Sequence, residues 1–393
     1  MSKSDERLSN SYPSEVHYSY LGELCKIETG KLNANKAVQN GKYMFFTTAR
    51  EPSKIDSYRW DSEAILVAGN ANVGDVKYYN GKFEAYQRTY VLTNFSEKIN
   101  VRFLYYVLKN NLKQYLESRS NIAAMTYIVL ATLQKVTIPL PSLSVQEEIV
   151  RILDNFTELT AELTAELTAR EKQYEYYLNH VMDLEDKGVR MMSLEDAIKS
   201  LNTGLNPRKF FHLNTDDAKN YYVTIRELQH NHIKVSEKTD RINDEALRLC
   251  NNRSNLEIGD ILFSGTGTIG ETAIIEETPT NWNIKEGVYA IKPKQEIIVP
   301  RFLMYLLKSA KIRKQYLQKV AGGTVKSIPM GEMRKLVIPV PSLVEQQRIA
   351  SLIDRFDTLC NDLTSGLPAE IEARRKQYEY YRDKLLTFKE AKK

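Results

Sequence analysis

Three cysteines, five histidines and two tryptophans are all that 393 residues contain of those types. Cys25, Cys250 and Cys360 are widely spaced and odd in number. They fit neither a zinc site nor a disulfide framework, and they point to a reducing compartment. No apolar run reaches membrane-spanning length, and the opening MSKSDERLSN lacks the apolar stretch of a secretory signal. The expectation is a cytoplasmic protein with no membrane partner. Catalytic signatures are missing as well. No G-x-x-x-x-G-K-S/T phosphate loop occurs. Asn206-Pro207 is followed by Arg208 and so is not the Asn/Asp-Pro-Pro-aromatic motif of amino-methyltransferases. His230 and His232 alternate as in a strand, with no Cys or Asp at a metal-binding spacing. The expectation is a non-catalytic chain with no cofactor or metal of its own.

What the chain does have, it has twice. Residues 139–156 read PLPSLSVQEEIVRILDNF and residues 339–356 read PVPSLVEQQRIASLIDRF, an ungapped match at an offset of 200. KQYEYY recurs at 172–177 and 376–381, where the offset is 204. A period this long means two domain-sized modules, not a solenoid.

Proline and glycine are absent from 142–187. Apolar residues there (Val145, Ile149, Ile152, Phe156, Leu159, Leu163, Leu167) recur every three or four positions. The spacing predicts an amphipathic helix of about 40 residues, roughly 60 Å long at 1.5 Å per residue. Ser142 or Ser144 would cap it. The second copy repeats the pattern through Ile349, Leu352, Phe356, Leu359 and Leu363, then breaks at Ser365-Gly366-Leu367-Pro368. Two such segments can pair antiparallel about a pseudo-twofold axis, as in a coiled coil. The continuous helix holds a tandem Thr-Ala-Glu-Leu repeat, 160–163 and 164–167. Each unit adds about 1.1 turns and roughly 6 Å.

The remaining modules match each other more weakly. Ile65-Leu66 with Gly69 and Gly74 aligns with Ile261-Leu262 with Gly265 and Gly270. Tyr43 to Arg50 resembles Tyr221 to Arg226, and Arg102-Phe103-Leu104 matches Arg301-Phe302-Leu303. Each module reads as α+β: short strands with glycine turns, then a helix near 101–117 or 300–319. Gly265-Thr266-Gly267-Thr268-Ile269-Gly270 satisfies G-x-G-x-x-G, but a strand pattern follows where a dinucleotide site needs a helix. A tight β-turn is the better reading.

Net charge is +5, unevenly spread: +5 over 1–141, −7 over 142–187, +6 over 188–340 and +1 over 341–393. Two mildly basic modules suit a polyanion, while the acidic helix should avoid its backbone. Polar and basic residues on predicted turns are candidates for DNA contact. In the first module they are Thr47, Thr48, Arg50, Asn70, Asn72, Arg88, Thr126 and Tyr127. In the second they are Thr224, Arg226, Ser264, Thr266, Thr268, Lys285, Thr324 and Lys326. Arginine and lysine suit guanine edges or phosphates, asparagine suits adenine, and serine and threonine are permissive.

Together these features resemble the specificity subunit of type I restriction-modification enzymes, in particular a subgroup with TAEL repeats. The carriers are Ile138-Pro-Leu-Pro-Ser-Leu143 with Gln146, Ile338-Pro-Val-Pro-Ser-Leu343 with Gln346, Gly259-Asp-Ile-Leu-Phe-Ser264 and Gly323-Thr-Val-Lys-Ser327. The resemblance implies an N-terminal tail (1–17), target-recognition domains at 18–141 and 188–340, and helical regions at 142–187 and 341–393. It implies that each recognition domain reads half of a split DNA site and that the paired helices set the spacing. It also implies two methylation subunits using S-adenosylmethionine and two restriction subunits using ATP and Mg. Ala68-Gly69-Asn70-Ala71-Asn72 departs from the family's usual wording. Two other readings stand beside this one: a free-standing bipartite DNA-binding regulator, and a nucleotide-dependent enzyme built on the glycine turn.

Overall fold

A computed structural model describes residues 15–119, 127–184, 188–322, 325–362 and 365–391. The chain divides into two compact units, residues 1–161 with 373–393, and residues 162–372.

The first unit runs β1 (Glu15–Tyr20), β2 (Lys26–Thr29), β3 (Tyr43–Phe46), β4 (Ser53–Ile55), β5 (Trp60–Ala68), β6 (Val76–Ala85), β7 (Thr89–Thr93), α1 (Val101–Arg119) and β8 (Thr137–Leu140). It then enters the long helix α2 (Leu143–Val181). Six strands form one sheet in the order β2-β7-β5-β6-β3-β4, antiparallel except for β3 beside β6. Side chains along β5 alternate between faces. Ile65 and Val67 join the core beneath α1, while Ala64 and Leu66 join Phe46, Trp60 and Phe83 on the other face. A separate small sheet pairs β1 antiparallel with β8 and parallel with Lys389–Glu390. Strand β1 thus starts ahead of residue 18.

The second unit contains β9 (Arg190–Ser193), β10 (Ile198–Thr203), β11 (Asn220–Val223), β12 (Leu228–Gln229), β13 (His232–Ile233), β14 (Arg241–Ile242), α3 (Asp244–Ser254), β15 (Ile261–Ser264), β16 (Thr272–Ile274), β17 (Trp282–Ile284) and β18 (Val288–Pro293). Helices α4 (Pro300–Lys308) and α5 (Ala310–Leu317), strand β19 (Val337–Val340) and helix α6 (Leu343–Asn361) follow. The same alternation recurs: Ile261 and Phe263 face one core, Leu262 the other. The helix expected over 300–319 is two helices. Ser309 interrupts them with extended backbone, and its hydroxyl donates to the Leu306 carbonyl at 2.7 Å.

The last helix, α7 (Leu367–Leu385), follows a break that lies earlier than the Ser365–Pro368 hinge expected from sequence. Helix α6 ends at Asn361, and Pro368 already sits in the first turn of α7. A side chain at Gly366 would meet the Asp362 carbonyl at 2.7 Å and the Thr358 carbonyl at 2.6 Å, so only glycine lets the chain close on the helix end.

Helix packing in each unit repeats the other. In the first, Phe156 stacks on Tyr381 with centroids 5.5 Å apart. The small sheet holds both β8, which precedes α2, and Lys389–Glu390, which follows α7, and these two strands run in opposite directions. In the second, Tyr177 stacks on Phe356 at 5.1 Å. The roles of the repeated phenylalanine and the last tyrosine of KQYEYY are thus the same in both. Along α2, Thr160 and Thr168 donate to the carbonyls four residues back, at 2.7 and 3.0 Å, which satisfies both hydroxyls within the helix. Leu163 is buried and Leu167 half-buried.

Candidate nucleic-acid interface

Both units are held by the same buried contacts. Gln146 and Gln346 are fully buried. The Gln146 side-chain oxygen accepts the Asn100 N–H at 2.8 Å, and its nitrogen donates to the carbonyls of Lys98 (3.0 Å) and Pro141 (2.9 Å). Gln346 does the same with Val299 N–H (2.8 Å), Ile297 (3.0 Å) and Pro341 (2.8 Å). Each carboxamide therefore ties the start of a long helix, α2 or α6, to the loop ahead of α1 or α4. Farther along, Asp154 takes the Tyr106 hydroxyl and the Arg102 guanidinium. Asp354 takes the Tyr305 hydroxyl (2.5 Å) and Arg301 (3.2 Å). Burial, with the neighbouring carboxylates, holds both phenols well above their ordinary range.

This frame positions a loop cluster in each unit. In the first, Gly69 N–H donates to the Arg88 carbonyl (2.8 Å) and Ile128 N–H to the Gly69 carbonyl (2.8 Å). Asn70 bridges Tyr127, and the Asn72 amide donates to the Thr48 carbonyl at 2.7 Å. The Tyr90 hydroxyl donates to the Ile128 carbonyl at 2.8 Å. In the second, Gly265 N–H donates to the Gly287 carbonyl (2.8 Å), Ile328 N–H to Gly265 (2.9 Å), and Gly267 N–H to Lys326 (2.9 Å). Thr266 bridges Ser327, and the Tyr289 hydroxyl donates to the Ile328 carbonyl. A side chain at Gly265 would lie 2.2 Å from the Tyr289 ring, so the turn requires glycine there. The turn joins antiparallel β15 and β16, not a strand to a helix.

Most candidates from the sequence fall in these clusters. Arg50, Arg88 and Tyr127 are exposed in the first, as are Thr268, Lys285 and Lys326 in the second. Thr47, Asn70, Asn72 and Thr266 are half-buried. Three others are buried, and the side chains of two of them are occupied. Thr48 is buried. Thr224 caps a 3-10 turn and donates its hydroxyl (2.7 Å) and its N–H (2.8 Å) to the Glu227 carboxylate. Ser264 donates to the Thr268 carbonyl (2.7 Å) and accepts Glu271 N–H (2.8 Å), closing the glycine turn. Arg226 is paired with Asp240 at 3.0 Å. Thr126 and Thr324 lie outside the described residues.

The strand pairing also shifts one alignment. Phe46 lies beside Ala85 as Val223 lies beside Ile284, so Tyr43 corresponds to Asn220 and not Tyr221. Residues missed from sequence are Arg208, Lys209 and Phe210. They are exposed on a short helix beginning at Pro207, beside the Leu205–Lys285 bridge. Their signal was present in the run Asn-Pro-Arg-Lys-Phe, which places two cations and an exposed ring behind an N-cap. His230 is not in a strand: with Asn231 it forms the positive-φ tip of the β12–β13 hairpin. Below the second cluster, burial pushes the Asp260 carboxyl up to about 6, opposed by Glu257 N–H and Lys292. The three cysteines are free and buried, and no acidic, histidine or cysteine cluster could hold a metal among the described residues. No helix among them is long and apolar enough to cross a membrane.

A family model described as the type I restriction modification DNA specificity domain matches residues 13–170 and again 186–373. The chain is 33% identical to a type I restriction enzyme specificity subunit of Haemophilus influenzae over 95% of its own length and 96% of the relative's. It is 33% identical to an Escherichia coli type I restriction enzyme specificity subunit over 65% of this chain and 63% of the relative. In structure it is similar to the S subunit of a type I restriction-modification system from M. genitalium (TM-score 0.59, 16% identity, 96% of both chains). It is also similar to a chain from a study of complex assembly and conformational transition in a type I system (TM-score 0.60, 15% identity, 95% and 98% covered).

Proposed function

This chain belongs to the family of type I restriction-modification DNA specificity subunits, and from that premise we propose that each unit reads one half of a split DNA site. The observation that carries this reading is the duplication of buried contacts beneath loop clusters of different chemistry. The Gln146 and Gln346 bonds match one for one. The exposed residues above them do not: Arg50, Arg88 and Tyr127 in one, Thr268, Lys285 and Lys326 in the other. Cationic side chains meet phosphates or guanine edges; asparagine and threonine supply adaptable contacts. Thr47, Asn70, Asn72 and Thr266 lie at the rims, and Arg208 and Lys209 extend the second surface. Thr48, Thr224 and Ser264 hold the loops and do not touch DNA.

The chain itself carries no catalysis in this reading. It selects the adenines that two methylation subunits modify with S-adenosylmethionine. It selects the DNA that two restriction subunits cut with ATP and Mg when methylation is missing. The complex works in the cytoplasm. The helical regions dock the methylation subunits and fix the spacer. Each TAEL unit adds roughly 6 Å, under two 3.4 Å base-pair steps. Inserting a third unit after Leu167 and mapping methylated adenines in cells tests this. The spacer should lengthen by about one or two base pairs with both half-sites unchanged. An unchanged spacer would end the ruler reading.

A further inference from the structure

Asn231 sits at the tip of a two-residue hairpin turn, at φ 66°, following His230 at φ 49°. Positive φ at both tip positions is the turn that matches strand twist, and asparagine tolerates it. The side chain is 1% exposed and fully engaged. Its oxygen accepts Lys308 Nζ at 2.7 Å and Thr272 Oγ1 at 3.3 Å. Its nitrogen donates to Asp357 Oδ1 at 2.9 Å. Asn361 Nδ2 donates to the same carboxylate oxygen at 2.9 Å, and Asn361 Oδ1 lies 3.1 Å from His230 Nδ1. Burial lowers the affinity of the Lys308 amine for its proton, and the Asp357 charge opposes that shift. One asparagine thus joins the hairpin, β16, α4 and α6 within the second unit.

The first unit lacks this arrangement. Thr157 stands where Asp357 does, and its hydroxyl is turned back to the Leu153 carbonyl at 2.9 Å. Lys109 stands where Lys308 does; it is exposed and bonded to the Tyr105 hydroxyl at 2.8 Å. The fold is therefore complete without the buried key. Lys308 and Asp357 do not pair directly; the Asn231 amide bridges them, and removing it leaves a buried carboxylate short of a donor, which is costly. Such a group specifies geometry.

We propose that Asn231 is a positioning residue that fixes the second recognition surface on its helical arm through Asp357, and so sharpens the spacer this unit accepts. The transferable specificity module then runs to Asn361, not to the end of β19. The inference rests on the two-half-site reading above.

The test uses the complex with its methylation subunits and duplexes carrying the mapped half-sites at the natural spacer and at one base pair more or fewer. N231A should cut the preference for the natural spacer at least tenfold, while discrimination against a mismatched first half-site stays as in the parent. D357T, which restores the first copy's residue, should act alike and decides the matter if N231A does not fold. D357N keeps an acceptor for the Asn231 amide and should retain the preference. Unchanged preference in N231A or D357T, or an equal loss at every spacer, would overturn the proposal. A parent complex with no spacer preference would instead overturn the half-site reading.

Discussion

Unit one and unit two share a set of buried bonds and present different edges. Gln146 and Gln346 have matching partners within 0.1 Å, and Tyr90 and Tyr289 anchor equivalent carbonyls at Ile128 and Ile328. The exposed loop edges differ. Arg88 stands where Gly287 does, and Tyr86 where Lys285 does. Buried positions differ too: Phe263 stands where Val67 does and Ala290 where Val91 does, and two of the changes bring in a carboxylate, Asp260 at the place of Ala64 and Asp357 at the place of Thr157. What the units keep in common is the set of carboxamide and tyrosine bonds that fixes each loop cluster on its frame, while the side chains around those bonds vary.

The largest effect should come from breaking the frame. Q146A or Q346A leaves one N–H and two carbonyls without their partner, at roughly 1 kcal/mol or more each. Each substitution should destabilise its unit by about 3 kcal/mol, and thermal unfolding should give equal losses for the two. Unequal losses would mean that the copies are not mechanically equivalent.

The next effect separates the units by pH. The Asp260 carboxyl is raised to about 6 in the folded state by desolvation. The folded state therefore binds the proton more tightly than the unfolded chain. This contribution is fully present below about pH 4 and is lost as pH rises toward 6. D260N should remove that part of the pH dependence, on the order of 3 kcal/mol, as read by denaturant titration from pH 4 to 7. A64 substitutions have no titratable counterpart, so the first unit should show no matching change.

Smaller and more informative are the surface cations. R50A or R88A in one unit, and K285A or K326A in the other, should weaken DNA binding about tenfold. A phosphate contact will lose affinity evenly across sequences and lower the salt slope by about one; a base contact will relax one position of its own half-site. Loss of discrimination in the opposite half-site would break the comparison.

Much of this was legible in the sequence because it was repeated. The ungapped copies around Gln146 and Gln346 located the frame, and the period of three and four located α2, which spans Leu143–Val181. The glycine pair at 265 and 270 marked a β-turn because a strand pattern followed it. The interface was less legible. Serine and threonine look alike whether they face solvent or close a turn, and Ser264 and Thr224 spend their hydroxyls internally. The break at Ser309 carried no proline or glycine, and the hinge before α7 was placed late because Pro368 is tolerated in a first helical turn. The Asn231 key was invisible, since its partners lie 41, 77 and 126 residues away.

The central claim is that the two units read separate half-sites on one frame. Exchanging residues 188–361 for those of another family member, and mapping methylated adenines in cells that carry the partner subunits, tests it most directly. The account predicts a methylated site with one new half, one unchanged half and the original spacer. A site altered in both halves, or in neither, would contradict it.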